Sequence, residues 1–266
     1  RMAAVKVLEA ERLAISFGGV RAVDNVSLAV ESGLVFSIIG PNGAGKTTLF
    51  NLISGVYAPQ DGRVRIEGAD VTGLTPNELA RRGLSRTFQN LQIFFRMSVV
   101  ENVMVGRHRH EQTSVFSDLL HLPAVRRQNR KTRDAAMAAL ARVGLEQYAE
   151  QSAASLSYGG LKRLEIARAL ASEPKLLLLD EPAAGCNPVE TEELESIIRA
   201  IARDGITVVL VEHDMRLVMK ISDRIHVLAN GRTLTEGTAA EVRSNRDVIE
   251  AYLGVHGATE AARAVG

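Results

Sequence analysis

Gly40-Pro41-Asn42-Gly43-Ala44-Gly45-Lys46-Thr47-Thr48 decides the fold. It fits G-x-x-x-x-G-K followed by Ser or Thr, the phosphate-binding P-loop. An apolar strand-like run, Val35 to Ile39, precedes it, and a helix-like run, Leu49 to Ile53, follows it. Strand, glycine-rich turn and helix gather free backbone N–H groups and the positive end of a helix dipole around one concavity. That concavity suits the terminal phosphates of a nucleotide. Gly40, Gly43 and Gly45 read as positions where a Cβ would obstruct the ligand. Lys46 offers a point charge to the β/γ-phosphates, and the Thr47 hydroxyl is the expected Mg²⁺ contact.

Outward from this loop, composition sets bounds. The 266 residues allow one or two domains with a substantial core. A net charge of +1 gives no reason to expect a nucleic-acid partner. Cys186 is the single cysteine, so no intrachain disulfide can form, and a reducing compartment fits. No apolar run approaches the ~18 residues of a membrane span. No basic-then-apolar leader pattern opens the chain. If the protein serves a membrane, the expectation is a peripheral subunit on the cytoplasmic side.

Residues 4–35 read as short strand-like runs with turns near Gly18-Gly19 and Ser32-Gly33. Arg63 to Ile66 and a short helix after Pro76 follow the P-loop unit. Residues 96–172 change character, with Ala, Arg and Leu at helical spacing, notably Ala135 to Val143 before Gly144. This predicts a helical insertion, and its run Arg126 to Lys131 reads as a solvated face. Leu176 to Leu179 is an uninterrupted apolar run, as expected of a parallel strand covered on both faces. Asn187-Pro188 opens a helix that ends near Gly205, and Ile206 to Val211 is the next buried strand. Arg224 to Leu228 and Thr233 to Thr235 form a hairpin about Asn230-Gly231. Thr238 to Glu241 is a capping box starting a last helix, which is expected to reach about Leu253.

A P-loop alone leaves kinases, GTPases, helicases and transport motors open. Four features narrow the choice. Asp180-Glu181 ends the all-leucine strand, where open α/β sheets bind ligand. Asp180 would order Mg²⁺, and Glu181 would polarise the attacking water. His213 ends the next strand, at the same sheet edge and within reach of a γ-phosphate. Gln89 ends another strand-like run and offers an amide to Mg²⁺ or to the lytic water, a role that spacing alone leaves open. Finally, Ser157-Tyr158-Gly159-Gly160 opens the helical run Leu161 to Ser172, a second anion cradle. One nucleotide has no need of two cradles in one chain. The economical reading is that this one, with no ligand of its own, closes on a nucleotide held by a second subunit.

In this order and spacing, the P-loop, Gln89, Leu156-Ser157-Tyr158-Gly159, Asp180-Glu181 and His213 resemble an ATP-binding-cassette ATPase over roughly residues 5–254. The resemblance implies an α/β P-loop NTPase: a RecA-like parallel sheet core, an N-terminal antiparallel β subdomain and an inserted α-helical subdomain. Residues 255–266 would be a loose tail. It also implies a head-to-tail dimer sandwiching two ATP molecules with Mg²⁺. Contacts would come from Gly40 to Thr48 (Pro41, Asn42, Ala44 and Thr48 included), from Phe17 stacked on adenine, and from the partner's Ser157, Gly159 and Gly160. Phe17 read alone is equally a core residue. Thr47, Gln89 and Asp180 would hold the metal, with Glu181, His213, Gln89 and Lys46 serving catalysis.

Arg86 to Asn90, Leu164 to Leu170, Glu181 to Gly185 and Glu212 to Met215 are similar to ATPases of bacterial branched-chain amino-acid importers. The segment 107–135 resembles the larger of the two such ATPases. Partners would then be a second, homologous or identical ATPase, two permease subunits and, indirectly, a periplasmic solute-binding protein. The place would be the cytoplasmic face of the inner membrane. Gly160 stands where the family usually has Gln, and Asn187 where most cassettes have Asp. A lipid or lipopolysaccharide exporter and a soluble cassette ATPase are alternative readings. The soluble one is disfavoured by a single cassette without a long coiled-coil insertion. The second cradle disfavours a P-loop kinase.

Overall fold

The computed structural model describes residues 5–107 and 123–252, without the side chains of 123–127. Strands β1 (Lys6–Phe17) and β2 (Val20–Glu31) are 12 residues each and pair antiparallel about the Gly18-Gly19 turn. The sequence suggests shorter pieces because irregularities break the alternation. The register shifts between Ala10 and Leu13, and Arg12 and Asn25 both have positive φ, so the apolar period slips within one strand. β3 (Val35–Ile39) leads through the P-loop into α1 (Lys46–Ile53). β4 (Asp61–Ile66), β5 (Ala69–Asp70), α2 (Pro76–Arg81) and β6 (Leu84–Arg86) follow. A helical stretch comes next: α3 (Val99–Val105), α4 (Pro123–Arg142) and α5 (Tyr158–Leu170). The chain then returns to alternation with β7 (Leu176–Asp180), α6 (Pro188–Arg203), β8 (Thr207–Val211) and α7 (Met215–Ile221). β9 (Arg224–Ala229), β10 (Arg232–Gly237), α8 (Ala239–Ser244) and α9 (246–252) complete the described part.

The strands form two sheets. One is antiparallel, in the order β2-β1-β4-β5. The other has the order β10-β9-β3-β8-β7-β6, parallel from β9 to β6 with β10 antiparallel at one edge. Alternation along the parallel strands divides the interior into two cores. Val35, Ile39, Leu177, Leu179, Val208 and Leu210 face the helical side with α3, α5 and α6. Phe36, Ile38, Leu176, Leu178, Val209 and Val211 face the other side, joining α1 and the antiparallel sheet. β3, β7 and β8 are therefore buried on both faces. Each fully buried aliphatic side chain contributes roughly 1.5–3 kcal/mol.

In-register pairing aligns the strand ends. Ile38 lies opposite Val211, Val211 opposite Asp180, and Leu178 opposite Arg86. The segments after β3, β8, β7 and β6 thus emerge at one edge. β8 stands between the P-loop strand and the Asp180 strand, so the two are next-nearest neighbours. The last helix departs from expectation. It breaks at Asn245, whose ψ of 119 ends α8 and whose side chain accepts from Asp247 and Val248 N–H to cap α9. Leu253, the 255–266 tail and most of the 107–135 segment lie outside the described residues.

Candidate active site

The P-loop closes by backbone contact. At Gly40 a Cβ would sit 2.2 Å from the Leu228 carbonyl oxygen, and at Gly45 2.4 Å from that of Ala22. At Gly43 no other part of the chain lies within 4 Å, and a φ of +79 favours glycine. α1 has Gly45 at its N-cap and no side-chain cap, so its first N–H groups are left to a ligand. Asn42, Gly43, Ala44, Gly45, Lys46, Thr47 and Thr48 line a cleft of about 510 Å³, together with Val20, Arg21, Glu181 and the Asn230-Gly231 turn. That turn is fixed by Gly231 N–H donating to Ala44 O at 3.0 Å and Asp24 N–H donating to Gly231 O at 2.7 Å.

Lys46 donates to the carbonyls of Gly40 at 2.7 Å and Pro41 at 3.0 Å. Burial lowers its pKa, and the negative charge of Glu181 works against that shift. The ammonium is thus drawn into the loop, half-buried against two carbonyls. Tyr252, from α9, reaches the same loop. Burial pushes its hydroxyl up to about 12, opposed by a hydrogen bond from the Gly40 backbone.

Glu181, Gln89 and His213 come together. The Gln89 amide Nε2 donates to Glu181 Oε2 at 3.1 Å, and His213 Nδ1 lies 3.9 Å from Glu181 Oε1. Glu181 has a φ of +46, unusual for a residue with a Cβ, and its N–H donates to Val211 O at 2.9 Å. Glu212 buttresses the arrangement. Its buried carboxylate accepts from Ala183 N–H at 2.8 Å and from His213 and Asp214 N–H at 3.0 and 3.3 Å. Burial raises its pKa and these three hydrogen bonds oppose the rise.

Asp180 is engaged differently from its reading as an open metal ligand. Its carboxylate lies 2.8 Å from Arg86 in a buried pair. Arg86 also donates to Asn51 Oδ1 and Ser54 Oγ, and its guanidinium sits over the Phe50 and Phe88 rings at 4.9 and 5.6 Å. The role of Arg86 went unread, although its place in β6 opposite β7 is the available signal. Among the described residues no three His, Cys, Asp or Glu form a metal cluster. A hydroxyl, an amide oxygen and one carboxylate are still the hard oxygen donors that suit Mg²⁺ when phosphates supply the rest.

Phe17 is 45% exposed, which removes the core reading. It packs edge-on against Tyr57, with centroids 5.3 Å apart, and pairs with Val20, which lines the cleft, though Phe17 itself does not. Tyr57 was missed because nothing in its local sequence marks it.

The second cradle is built at the start of α5. Ser157 Oγ accepts from Gly160 N–H at 3.1 Å, so Gly160 in place of Gln leaves the cap intact. Nothing in the sequence signals that a side chain of the same chain occupies this cradle. Glu190 Oε1 accepts from Ser157 Oγ and from Gly159 N–H, each at 3.0 Å. Glu190 is the third residue of α6, placed by the Asn187 capping box. The box was readable from Asn187-Pro188, but its reach across to residues more than 30 positions away was not.

Comparisons with known proteins agree with this geometry. The family model described as ABC transporter matches residues 23–184, and the one described as branched-chain amino acid ATP-binding cassette transporter matches 232–258. The chain is 47% identical over 249 residues to the high-affinity branched-chain amino acid transport ATP-binding protein BraF of Pseudomonas aeruginosa, covering 93% of this chain and 98% of that one. Identity to LivG of Escherichia coli, of the same description, is 45% with the same coverage. A nucleotide-free ATP-binding cassette from an ABC transporter superposes with a TM-score of 0.81 at 33% identity, covering 93% of this chain and 98% of that one. A dimeric bacterial ABC transporter cassette gives 0.72 at 26% identity, with 87% and 98% covered. A P-loop cleft facing Glu181, Gln89 and His213, a Ser-Gly cradle on a separate helix, and these matches together show that the chain belongs to the ABC transporter family of ATP-binding cassettes.

Proposed function

We propose that the chain is the ATP-hydrolysing motor subunit of an importer for branched-chain or related amino acids. The convergence of Glu181, Gln89 and His213 beside the Lys46 cleft carries the hydrolytic part. Phosphates would sit on the α1 N–H groups with Lys46 against the β/γ oxygens. Phe17, with Tyr57 behind it, would stack on the base. Thr47, Asp180 and the Gln89 amide oxygen would hold Mg²⁺, which would supply neutralisation of the phosphate charge. Glu181 would take a proton from the water as its oxygen attacks the γ-phosphorus and the bond to the ADP oxygen breaks. Gln89 and His213 hold the Glu181 carboxylate in place.

The cradle at Ser157, Gly159 and Gly160 is read as belonging to the site of a second cassette, and residues 5–254 as one ATPase domain around which this pairing is built. The relatives' names support the solute class. A groove of about 450 Å³ beside Gln89, lined in part by Phe88, Phe94 and Val105, supports a permease seat. These side chains and the adjacent Phe95 and Met97 are all exposed. Among the described residues no helix is long and apolar enough to cross a membrane, which fits a peripheral subunit. The test is uptake of a labelled branched-chain amino acid in a bacterium lacking its own ATPase of this type. The wild-type gene should restore uptake and Glu181→Gln should not. Membrane pull-down of permeases with no effect on uptake would redirect the solute class.

A further inference from the structure

We propose that Glu190 is an internal stand-in for phosphate, occupying the Ser157-Gly159 cradle until the γ-phosphate of a partner's nucleotide displaces it. The proposal rests on the two-cassette reading above and concerns how that same site is regulated. Three observations carry it. The first is occupancy. One carboxylate oxygen, Glu190 Oε1, takes both the Ser157 hydroxyl and the Gly159 N–H, while Gly160 N–H is spent on Ser157 itself. The donors expected to meet an incoming anion are already bonded to an anion. The second is fit. A Cβ at Gly159 would lie 2.5 Å from Glu190 Cγ and Cδ, so the carboxylate's close approach depends on glycine there. The third is a tether that holds without locking. Glu190 Oε2 accepts from Asn187 N–H at 3.1 Å, which keeps the side chain at the helix start when Oε1 is released.

Charge decides the competition. A carboxylate and a γ-phosphate cannot share one set of donors, since two like charges at contact repel. The phosphate has more charge and three oxygens, so it can displace the carboxylate once nucleotide is abundant. Ser157 is exposed, so the mouth of the cradle is open to a partner. Glu190 therefore sets a threshold: cassettes close only when the nucleotide supplies an anion able to evict it.

The test has two arms. In a Glu181→Gln background, light scattering against Mg-ATP concentration gives a midpoint for association. Adding Glu190→Gln, which keeps an acceptor oxygen and removes the charge, should lower that midpoint roughly three- to tenfold, the scale of the difference between a charged and a neutral hydrogen bond. An unchanged or raised midpoint, with the fold intact by circular dichroism, overturns the proposal and makes Glu190 a buttress. Glu190→Ala is the less clean companion, because it also removes half of the α6 capping box. The second arm needs no dimer. In the monomer, the Gly159 amide resonance is followed as inorganic phosphate is added. It should move in Glu190→Gln and stay fixed in the wild type; an equal response in both also overturns the proposal. Ser157→Arg separates the two ideas. If it leaves ATP-driven association intact, the two-cassette reading fails, and the phosphate arm still reports on Glu190.

Discussion

On the proposed reading, Glu181 would concentrate the chemistry in one strained residue. Its φ of +46 costs a side-chain-bearing residue on the order of 1 kcal/mol. The conformation is held because its N–H bonds to Val211 O while Gln89 bonds its carboxylate. Strain held in place this way is common where a group must be aimed before its ligand arrives. Glu181→Gln should lower ATP turnover by ~10²–10⁴-fold, the range of a general base. That is roughly 3–5 kcal/mol of barrier. Nucleotide affinity should survive, because the shape is kept. A fall of less than about fivefold in a purified complex would move the role to His213. Arg86 makes a contrasting prediction. Arg86→Ala leaves the Asp180 carboxylate buried without its partner, so urea unfolding should show a loss of about 3–5 kcal/mol. A loss under 1 kcal/mol would mean that Asp180 finds water or another donor.

Helix starts are the elements on which this fold relies most visibly. Thr75/Glu78, Ser98/Glu101, Asn187/Glu190 and Thr238/Glu241 all form complete capping boxes. Thr238→Ala should cost about 1 kcal/mol, because Glu241 N–H and Glu241 Oε2 both lose a partner. Urea titration measures it, and a change within error would show that α8 is held by packing alone. These boxes also show what was legible in the sequence. A box is a four-residue pattern, so Thr238 to Glu241 could be read directly, as could the P-loop and the leucine strand. Arg86 with Asp180, Phe17 with Tyr57, and Glu190 with Gly159 could not. Each joins positions 31 to 94 residues apart through side chains whose local surroundings are ordinary. The break at Asn245 was hidden for a related reason. Asn is tolerated within a helical pattern, and only the observed backbone shows it ending one helix and capping the next.

At the scale of the whole molecule, the same four capping glutamates link stability to pH. Backbone hydrogen bonds from Thr75, Ser98, Asn187 and Thr238 are the leading reasons that Glu78, Glu101, Glu190 and Glu241 lie below the ordinary 4.5. A carboxylate depressed by folding adds stability above its unfolded pKa and loses it as pH falls through the folded one. Buried Glu165 and Glu212 are raised instead, so their contribution runs the other way and fades as pH rises above 4.5. The urea midpoint should therefore fall once pH drops below about 4.5, the depressed carboxylates, Asp70 and Glu236 among them, outnumbering the two raised ones. A midpoint flat down to about pH 3 would show that the caps do not bear on global stability.

Assembly is the last consequence at this scale. The P-loop cleft and the Ser157 cradle sit on different elements, α1 and α5, and the cradle is occupied by the Glu190 carboxylate of its own chain. Much of the interface between two cassettes would then be nucleotide, and a ligand bound only by the closed pair drives closure by mass action. Without nucleotide the chain should scatter light as a monomer. Glu181→Gln with Mg-ATP should double the mass, and chelating Mg²⁺ should reverse the change. Ser157→Arg should abolish it by filling the cradle with a side chain while leaving the P-loop of the same chain able to bind ATP. Persistence of the dimer in Ser157→Arg would mean that the cradle does not face a neighbour's nucleotide, and the second anion site would need another ligand.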